Sequence, residues 1–333
     1  MRRVLVPHNV PSAPHASAGG GVSSFRGATM GTTWSVNLVA PRSVPLLDAL
    51  TGVQKELDRV VAQMSTWEAD SDLSRFNRAP AGTWHVLPEE FFAVLTYALS
   101  VAEASGGAYD PTIGPLVNLW GFGPDPKRTA EPVAADLDAA RARCGWRQVL
   151  LEPEERRALQ PGGLYIDLSA VAKGFGVDLA ARYLRNAGVG DFLIEVGGEL
   201  RGEGTKPDGT PWWVALERPP SGGLEPTETV AALHGLSIAT SGDYRKFVEI
   251  DGRHLSHTID PRTGRPVAGK PAGVTVLHPE CMKADALATA ITVLGADEGM
   301  RFAERHDLAA LSLTRAGQGF EERMTPAFAA MLS

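Results

Sequence analysis

The sequence predicts an α+β fold in which antiparallel sheets are flanked by helices. Three observations predict it: amphipathic segments with apolar residues three and four apart, short runs of β-branched and aromatic residues, and a tight hairpin connection late in the chain. The chain has 333 residues, of which 44% are hydrophobic and 21% charged, so it can bury a large core. We therefore expect one large domain or two closely packed ones.

The composition excludes several classes of protein. The net charge is −7 and the isoelectric point is about 5.7, which argues against a nucleic-acid partner. The two cysteines, Cys144 and Cys281, are too few for a disulfide framework or a metal cluster, so we interpret them as small buried hydrophobic residues. No apolar stretch reaches the length that a membrane-spanning helix needs.

The first residues are predicted to be a disordered leader, residues 1–24, because a tract rich in Pro, Ser, Ala, Gly and His follows Pro7. The apolar run before Pro7 is too short for a signal-peptide core, and no lipoprotein cysteine lies near the start. A cytoplasmic protein is therefore expected. The alternative is a periplasmic protein whose leader is missing from this sequence.

Folded structure is predicted from Phe25 onward. Residues Phe25–Val36 indicate a strand with a glycine turn, and a helix with one apolar face follows and closes at Met64–Trp67. A second helix begins at Pro88–Glu90, with proline and acids in its first turn. Residues 125–160 indicate a charged helical insertion and a hairpin.

The segment Ala108–Pro124 is too rich in Gly and Pro for regular structure and too apolar for a solvated loop. Such a loop is typical of a pocket wall for a flat ligand, and equally of a structural Ω-loop. The composition of this segment does not decide between a pocket wall and a structural Ω-loop.

The segment Tyr165–Leu184 contains the most unusual pattern. A strand end is predicted first, then Ser169 as a helix N-cap, then a helix that stops at Asn186–Gly188. Gly174 and Gly176 fall in its first turns, although each glycine costs a helix about 1 kcal/mol relative to Ala. Either a neighbouring strand packs tightly there, or Lys173 and the helix N-terminus bind an anion.

A hairpin is predicted from Tyr244–Ile250 and Arg253–Ile259, because Asp251–Gly252 favours a two-residue type I′ turn. Alternation along its second strand directs His257 inward, together with Ile259. An inward His is either a core residue or a catalytic one. The polar turn Asp260–Gly264 that follows supports the catalytic interpretation.

A last helix is predicted over Lys283–Gly295, with glycine at its C-terminal stop. Asp285 and Thr289 lie on one side of it, opposite its apolar stripe. A carboxylate and a hydroxyl on one face suit Mg²⁺, which prefers oxygen ligands. The alternative is that both side chains face solvent.

Together these segments resemble the ApbE family of flavin transferases. The resemblance extends from about Met30 to Gly295 and rests on nine motifs in order. They are M-G-T at Met30, S-T-W at Ser65, G-A-Y-D-P-T at Gly107, L-W-G-F-G at Leu119, I-D-L-S-A-V-A-K-G at Ile166, G-G-E-L at Gly197, A-T-S-G-D-Y-R at Ala239, H-T-I-D-P-R-T-G at His257 and A-D-A-L-A-T at Ala284.

The resemblance implies a two-part, T-fold-related architecture, with residues 25–333 as one catalytic unit of two intimate subdomains. It implies an FAD:protein FMN transferase that binds FAD and Mg²⁺, transfers FMN to a Ser or Thr of a target protein through a phosphoester bond, and releases AMP. By the same resemblance the metal is held by Asp285, Thr289 and the main-chain carbonyl of Ala170. Ala288 stands where some relatives have a second acid.

The resemblance also assigns the flavin contacts. The residues expected to bind FAD are Met30, Trp67, Ala108, Tyr109, Asp110, Asp167, Lys173, His257 and Ile259. Asp285 and His257 are the expected catalytic residues, with His257 as the candidate base that takes the proton of the incoming hydroxyl.

Three functions remain open from the sequence. The first is transfer to an acceptor flavoprotein, which in this family usually carries a Ser/Thr-Gly-Ala-Ser/Thr type motif. The second is Mg²⁺-dependent hydrolysis of FAD to FMN and AMP, and the third is flavin binding without turnover. The acceptor is not revealed, and family acceptors often face outward from membrane redox complexes, which contrasts with the expected cytoplasmic location.

Overall fold

An eight-stranded antiparallel sheet forms the centre of the fold in the computed structural model, which describes residues 2–7, 20–126, 130–219, 228–244, 247–250, 253–267, 271–317 and 319–332. The first strands in chain order are β1 Arg2–Leu5, β2 Ser23–Thr29, β3 Thr32–Val39, β4 Thr83–Val86, β5 Leu150–Glu152, β6 Arg157–Gln160, β7 Asp191–Val196, β8 Glu199–Glu203 and β9 Trp212–Ala215. The others are β10 Glu228–Leu233, β11 Leu236–Gly242, β12 Phe247–Ile250, β13 Arg253–Ser256, β14 Ile259–Asp260, β15 Arg265–Pro266, β16 Gly273–His278, β17 Ala309–Ala316 and β18 Gly319–Met324.

The helices pack on this sheet and around its edges. They are α1 Leu46–Met64, α2 Asp72–Asn77, α3 Glu89–Ala104, α4 Gly114–Leu119, α5 Ala134–Arg141, α6 Ala172–Asn186, α7 Cys281–Arg305 and α8 Pro326–Ala330, with a 3₁₀ turn at Trp146–Gln148. Helix α6 packs between α1 and α7, and α7 also covers β11, β16 and β17. The predicted α+β class with antiparallel sheets and flanking helices is confirmed.

The central sheet has the strand order β18-β17-β16-β11-β8-β7-β3-β2, and every neighbouring pair in it is antiparallel. Burial alternates along β7, so Phe192, Ile194 and Val196 enter the core against α1 and α6. Leu193 and Leu200 belong to a different cluster, which includes residues of β1, β9 and β10. The sheet therefore has apolar cover on both faces.

Smaller sheets surround the central one. They are β1-β10-β9, β4-β6-β5, β12-β13 and β14-β15. The β5–β6 hairpin and helix α5 confirm the prediction for residues 125–160 within the part that the structure describes. Strand β9 pairs with β10, whereas β7 pairs with β3 and β8.

The predicted disordered leader is wrong at its beginning and at its end. Arg2–Leu5 form β1, which pairs in parallel with β10, and the side chain of Leu5 is fully buried. Ser23 and Ser24 already belong to β2. Burial of Leu5 among apolar side chains provides a reason for order in so short a segment. Residues 8–19 of the predicted leader lie outside the described residues.

The first predicted strand is a hairpin. β2 and β3 pair around Met30–Gly31, where both residues have positive φ, 50° and 67°. This left-handed conformation matches a type I′ turn, and Gly31 meets its requirement without strain. The predicted glycine turn is thus correct, but a strand lies on each side of it.

The predicted hairpin near His257 is partly confirmed. β12 and β13 pair antiparallel with Ile250 opposite Arg253, as a two-residue connection requires. The turn residues Asp251 and Gly252, and also Arg245, lie outside the described residues. The predicted second strand is too long, because β13 ends at Ser256 and His257 follows it outside regular structure.

Candidate functional site

Helices α6 and α7 cross at Gly174. A Cβ atom at Gly174 would lie 2.4 Å from the carbonyl oxygen of Cys281 and 2.9 Å from Cβ of Asp285, so the crossing requires glycine. The backbone N–H of Gly174 donates to Oδ2 of Asp285 over 3.0 Å. The tight-packing interpretation of this glycine is correct, but the neighbour is a helix rather than a strand.

Gly176, two residues on, makes room for Met30. A Cβ atom there would lie 3.0 Å from Cε of Met30 and 3.2 Å from Cδ2 of Leu57. The β2–β3 turn therefore brings the side chain of Met30 to the first turn of α6. The glycine pair thus fixes two contacts at the start of this helix.

Asp178 fixes the N-terminus of α7. Its Oδ1 accepts from the backbone N–H of Cys281 and its Oδ2 from that of Met282, each over 2.9 Å, and Arg201 lies 3.1 Å from Oδ1. Burial raises the pKa of Asp178, and the two backbone hydrogen bonds oppose that rise. This residue was missed in the sequence. Helix α7 begins after Glu280, whose side chain makes no capping bond, and its cap comes from a different helix, which no local sequence pattern indicates.

Three charged side chains, Lys173, Glu199 and Asp285, form what we call the crossing cluster. Nζ of Lys173 lies 2.8 Å from Oε1 of Glu199 and 3.6 Å from Oδ1 of Asp285. Glu199 is 3% exposed and Asp285 5% exposed. Burial alone would lower the pKa of Lys173, but Asp285 and Glu199 raise it above its usual value. Lys173 is therefore a cation held between two buried carboxylates.

The predicted metal ligands lie around this crossing. Asp285 and Thr289 are one turn apart on α7, and Ala170 precedes α6 by two residues. The alternative that Asp285 faces solvent is wrong, since the carboxylate is buried; Thr289 is half-buried. No group of three or more His, Cys, Asp or Glu residues suited to a metal ion occurs in the part of the chain that the structure describes.

Tyr109 is buried near the same carboxylates, and its neighbour Ala108 is buried too. Burial first, and then the charges of Asp285 and Asp167, raise the pKa of Tyr109 well above its usual value of 10.0. Among the described residues no hydrogen-bond partner contacts its hydroxyl. A buried hydroxyl of this kind can be satisfied by a ligand.

Asp110 serves the fold of this loop. Its Oδ1 accepts from the N–H and the hydroxyl of Thr112, at 2.8 and 2.7 Å, and its Oδ2 from the N–H of Trp146 at 3.3 Å. Burial raises the pKa of Asp110, and these bonds oppose the rise. The loop also contains helix α4, so the prediction of no regular structure in it is wrong.

Asp167 lies in the turn before α6. Its Oδ1 accepts from the N–H of Ser169 over 2.8 Å, and its own N–H donates to the carbonyl of Pro111 over 2.7 Å. The predicted N-cap at Ser169 is wrong, because α6 begins at Ala172 after Val171, and the predicted strand before it is absent from these described residues. Asp167 thereby ties this turn to the Tyr109 loop.

Trp67, His257 and Ile259 lie on other segments. Trp67 is 64% exposed and follows the end of α1. His257 is half-buried, with its ring edge-on to Phe122 at a centroid distance of 6.3 Å and an interplanar angle of 71°. Ile259 is buried beside Leu116 and Trp120.

The turn after His257 is attached to α7. Arg262 binds both carboxylate oxygens of Asp260 at 2.9 Å and donates to the carbonyl of Val293 over 3.1 Å. Val293 is eight residues beyond Asp285, about 12 Å along the helix axis. This contact connects the His257 segment with the helix that carries Asp285 and Thr289.

Comparison with known proteins identifies the family. A family model described as the ApbE family matches residues 30–312. This chain belongs to the ApbE family. The FAD:protein FMN transferase of Vibrio cholerae is 39% identical over 308 residues, which cover 92% of either chain. That of Haemophilus influenzae is 38% identical over 313 residues, 92% of this chain and 90% of the relative.

Solved structures agree with this ApbE-family assignment. The apo form of the flavinyl transferase ApbE from Pseudomonas stutzeri has a TM-score of 0.85 and 38% identity, covering 93% of this chain and 96% of that structure. The predicted family, fold class and transferase class are confirmed. No helix among the described residues is long and apolar enough to cross a membrane.

Sequence reasoning named some residues of this candidate site and missed others. The structure joins Met30, Tyr109, Asp167, Lys173 and Asp285 around the start of α6. It places Ile259 in a cluster with Leu116 of α4 and His257 against Phe122, beyond the end of that helix. The carboxylate of Asp110 accepts hydrogen bonds from Thr112 and Trp146. Sequence reasoning missed Glu199, although the G-G-E-L motif contains it, and also Asp178. It placed Arg262 in the polar turn after His257 but did not predict the contact of Arg262 with α7.

Proposed function

We propose that this chain transfers the FMN moiety of FAD to a Ser or Thr hydroxyl of an acceptor flavoprotein, with Mg²⁺ as cofactor, and releases AMP. The observation that carries the proposal is the meeting of the Asp285 carboxylate, the Lys173 cation and the first turn of α6 at one helix crossing. Membership of the ApbE family, with relatives named FAD:protein FMN transferase, supports flavin transfer.

The oxygen donors at this crossing fit Mg²⁺. Asp285 is buried, and its Oδ2 accepts one backbone hydrogen bond while Oδ1 faces Lys173. A carboxylate, a hydroxyl and a carbonyl are hard ligands, and Mg²⁺ uses few protein groups beside waters and substrate phosphates. Asp285, Thr289 and the carbonyl of Ala170 would hold the ion. When bound, it would neutralise charge on the FAD pyrophosphate.

The flavin contacts follow from burial and exposure. The Tyr109 hydroxyl would bond a polar group of FAD, since it is buried without a partner among the described residues. Exposed Trp67 would stack on a ring of FAD, and Met30, Ala108 and Ile259 would add apolar contacts. Asp110 would act indirectly, by shaping the Tyr109 loop.

Two charged residues would bind the polar part of FAD. Lys173 has three N–H donors, so it can keep its ion pairs and still donate to a phosphate oxygen. Asp167 would bind a polar group from the turn before α6. The positive end of the α6 helix dipole adds to the attraction for an anion.

The reaction is a displacement at phosphorus. The acceptor oxygen forms a bond to the phosphorus of the FMN half, the bond from that phosphorus to the AMP oxygen breaks, and AMP leaves. The hydroxyl proton goes to His257, which we propose as the general base. Lys173 would stabilise negative charge on the phosphoryl oxygens, and buried Asp285 would contribute by holding the divalent cation.

The test is intact-mass analysis of an acceptor domain that carries a Ser/Thr-Gly-Ala-Ser/Thr type motif. The domain is incubated with this protein, FAD and Mg²⁺. A gain of one FMN is expected, and EDTA or Asp285→Ala should abolish it. Asp208→Ala is the matched control, because Asp208 is an exposed carboxylate in a turn between β8 and β9. This variant should keep full transfer.

Other outcomes would replace the proposal. Free FMN and AMP without modified acceptor would indicate a hydrolase that uses water. FAD bound without turnover would indicate a flavin-binding protein. Retained transfer in Asp285→Ala would remove this carboxylate from the metal site.

The partner and the compartment are linked proposals. We propose that the acceptor is a flavoprotein whose modified Ser or Thr lies in an accessible motif of the stated type. The cytoplasmic location stays a prediction, and so does the periplasmic alternative. Fractionation of cells that produce the native gene product, followed by detection of the protein and of covalently bound flavin, would distinguish them.

A further inference from the structure

Lys173 is shared unequally between two buried carboxylates. Its Nζ lies 2.8 Å from Oε1 of Glu199, within hydrogen-bond range, and 3.6 Å from Oδ1 of Asp285, beyond it. Glu199 begins strand β8, while Lys173 and Asp285 belong to α6 and α7. The three charges therefore meet from three separate elements, and the sheet supplies the nearer partner of Lys173.

This inequality matters for any cation at Asp285. The other oxygen of that carboxylate, Oδ2, is already bonded by the N–H of Gly174, so Oδ1 is the oxygen that faces the crossing cluster. An ammonium in direct contact with Oδ1 would occupy the position of a metal ion and cancel the charge that attracts one. The attraction of Lys173 to Glu199 acts against such a contact.

We propose that Glu199 is a positioning residue that holds Lys173 away from Asp285 and so keeps Asp285 available for a divalent cation. This rests on the magnesium site of the proposed function. Without the Glu199 charge, Lys173 pairs with Asp285 and competes with the ion. Glu199 thus acts on the metal site through Lys173, as groups that orient metal ligands do.

A direct effect of the Glu199 charge on the ion is the competing explanation. The two are separated by a double-mutant cycle, because an effect through Lys173 disappears when Lys173 is removed. Glu199→Gln preserves shape and removes the charge. Lys173→Met preserves length and removes the cation.

The experiment is calorimetric titration of Mg²⁺ alone into the full chain, for the unmodified protein, both single variants and the double variant. We expect Glu199→Gln to weaken Mg²⁺ binding about tenfold. We expect Lys173→Met to bind at least as tightly as the unmodified protein, and Glu199→Gln to change affinity by less than about threefold in the Lys173→Met background. Urea unfolding of each variant establishes that it is folded.

Two results would overturn the inference while leaving the magnesium site intact. One is equal Mg²⁺ affinity in Glu199→Gln and the unmodified protein. The other is the same loss from Glu199→Gln with and without Lys173. If the unmodified protein binds no Mg²⁺, the proposed metal site and this inference both fall. If Glu199→Gln does not fold, Glu199→Asp is titrated in its place. This variant keeps the negative charge, so the inference expects its Mg²⁺ affinity to stay within about threefold of the unmodified protein, and a larger loss would contradict it.

Discussion

Arg262 donates to the backbone carbonyl of Val293 over 3.1 Å, two residues before Gly295 interrupts helix α7. Gly295 has φ 85° and ψ 177°, so the helical hydrogen bonds are broken there and carbonyls of the preceding turn lose helical partners. The guanidinium of Arg262 caps one of them while its other atoms bind Asp260. The sequence predicted a helix stop at Gly295; the structure shows an interruption, after which α7 continues to Arg305.

Replacing Arg262 by Ala should lower the free energy of unfolding by about 1–2 kcal/mol, because one charged hydrogen bond to Val293 and those to Asp260 are lost. FMN transfer should fall about tenfold or more, since the His257 segment loses its attachment to α7. Urea unfolding and the acceptor mass assay measure the two effects. Arg265→Ala is the control, because Arg265 reaches Glu131 only at 3.9 Å on the surface. Equal losses in both variants would contradict the assigned role.

Gly174→Ala should destabilise the protein by about 1–3 kcal/mol, because the added Cβ cannot fit against the Cys281 carbonyl without moving α7. The same movement should lengthen the bond from Gly174 N–H to Asp285 and weaken Mg²⁺ binding. Gly190→Ala is the matched control, since nothing lies within 4 Å of a Cβ there. Its free energy of unfolding should change by less than about 0.5 kcal/mol. A stable Gly174→Ala protein would show that the crossing is less tight than the structure indicates.

Tyr109→Phe should make the protein less sensitive to alkali. The pKa of Tyr109 is raised well above 10.0 in the folded state by burial, so above pH 10.0 the unfolded chain loses this proton while the folded chain keeps it. The unmodified protein therefore loses stability as pH rises above 10.0, and Phe removes that loss, about 0.8 kcal/mol at about pH 10.5.

Urea unfolding near neutral pH and in alkali measures this difference. Near neutrality Tyr109→Phe should cost little, because no hydrogen-bond partner contacts the hydroxyl among the described residues. Tyr183→Phe is the contrast, since its hydroxyl donates to the carbonyl of Asp48 over 3.0 Å and should cost about 1 kcal/mol. Weaker FAD binding by Tyr109→Phe at neutral pH would support the proposed ligand contact.

His257→Ala should lower the rate of FMN transfer by about 10²–10⁴-fold, because the acceptor hydroxyl loses its general base. FAD affinity should stay within a few-fold, which flavin fluorescence titration measures alongside the acceptor mass assay. His234→Ala is the control: this ring lies against the Gly204 carbonyl at 3.0 Å, after β10. A full transfer rate in His257→Ala would assign proton removal to another group.

The sequence by itself determined the family and the fold class, and it predicted a set of site residues. Periodicity located α1, α3, α6 and α7, because apolar residues three and four apart indicate a buried helix face whatever packs against it. The ordered motifs predicted Asp285, Thr289, Lys173 and Tyr109 as site residues, and these residues stay predictions. Glycine positions in the sequence also located the Met30–Gly31 turn and the interruption at Gly295.

What only the tertiary structure decided concerns contacts between distant segments. Gly174 meets Cys281, Asp178 caps α7, and Glu199 shares Lys173 with Asp285. Local sequence patterns report on an element's own burial and ends, whereas these contacts depend on how two helices and a strand cross. The strand at Arg2–Leu5 likewise depends on a distant contact, because it is ordered by pairing with β10, more than 220 residues away.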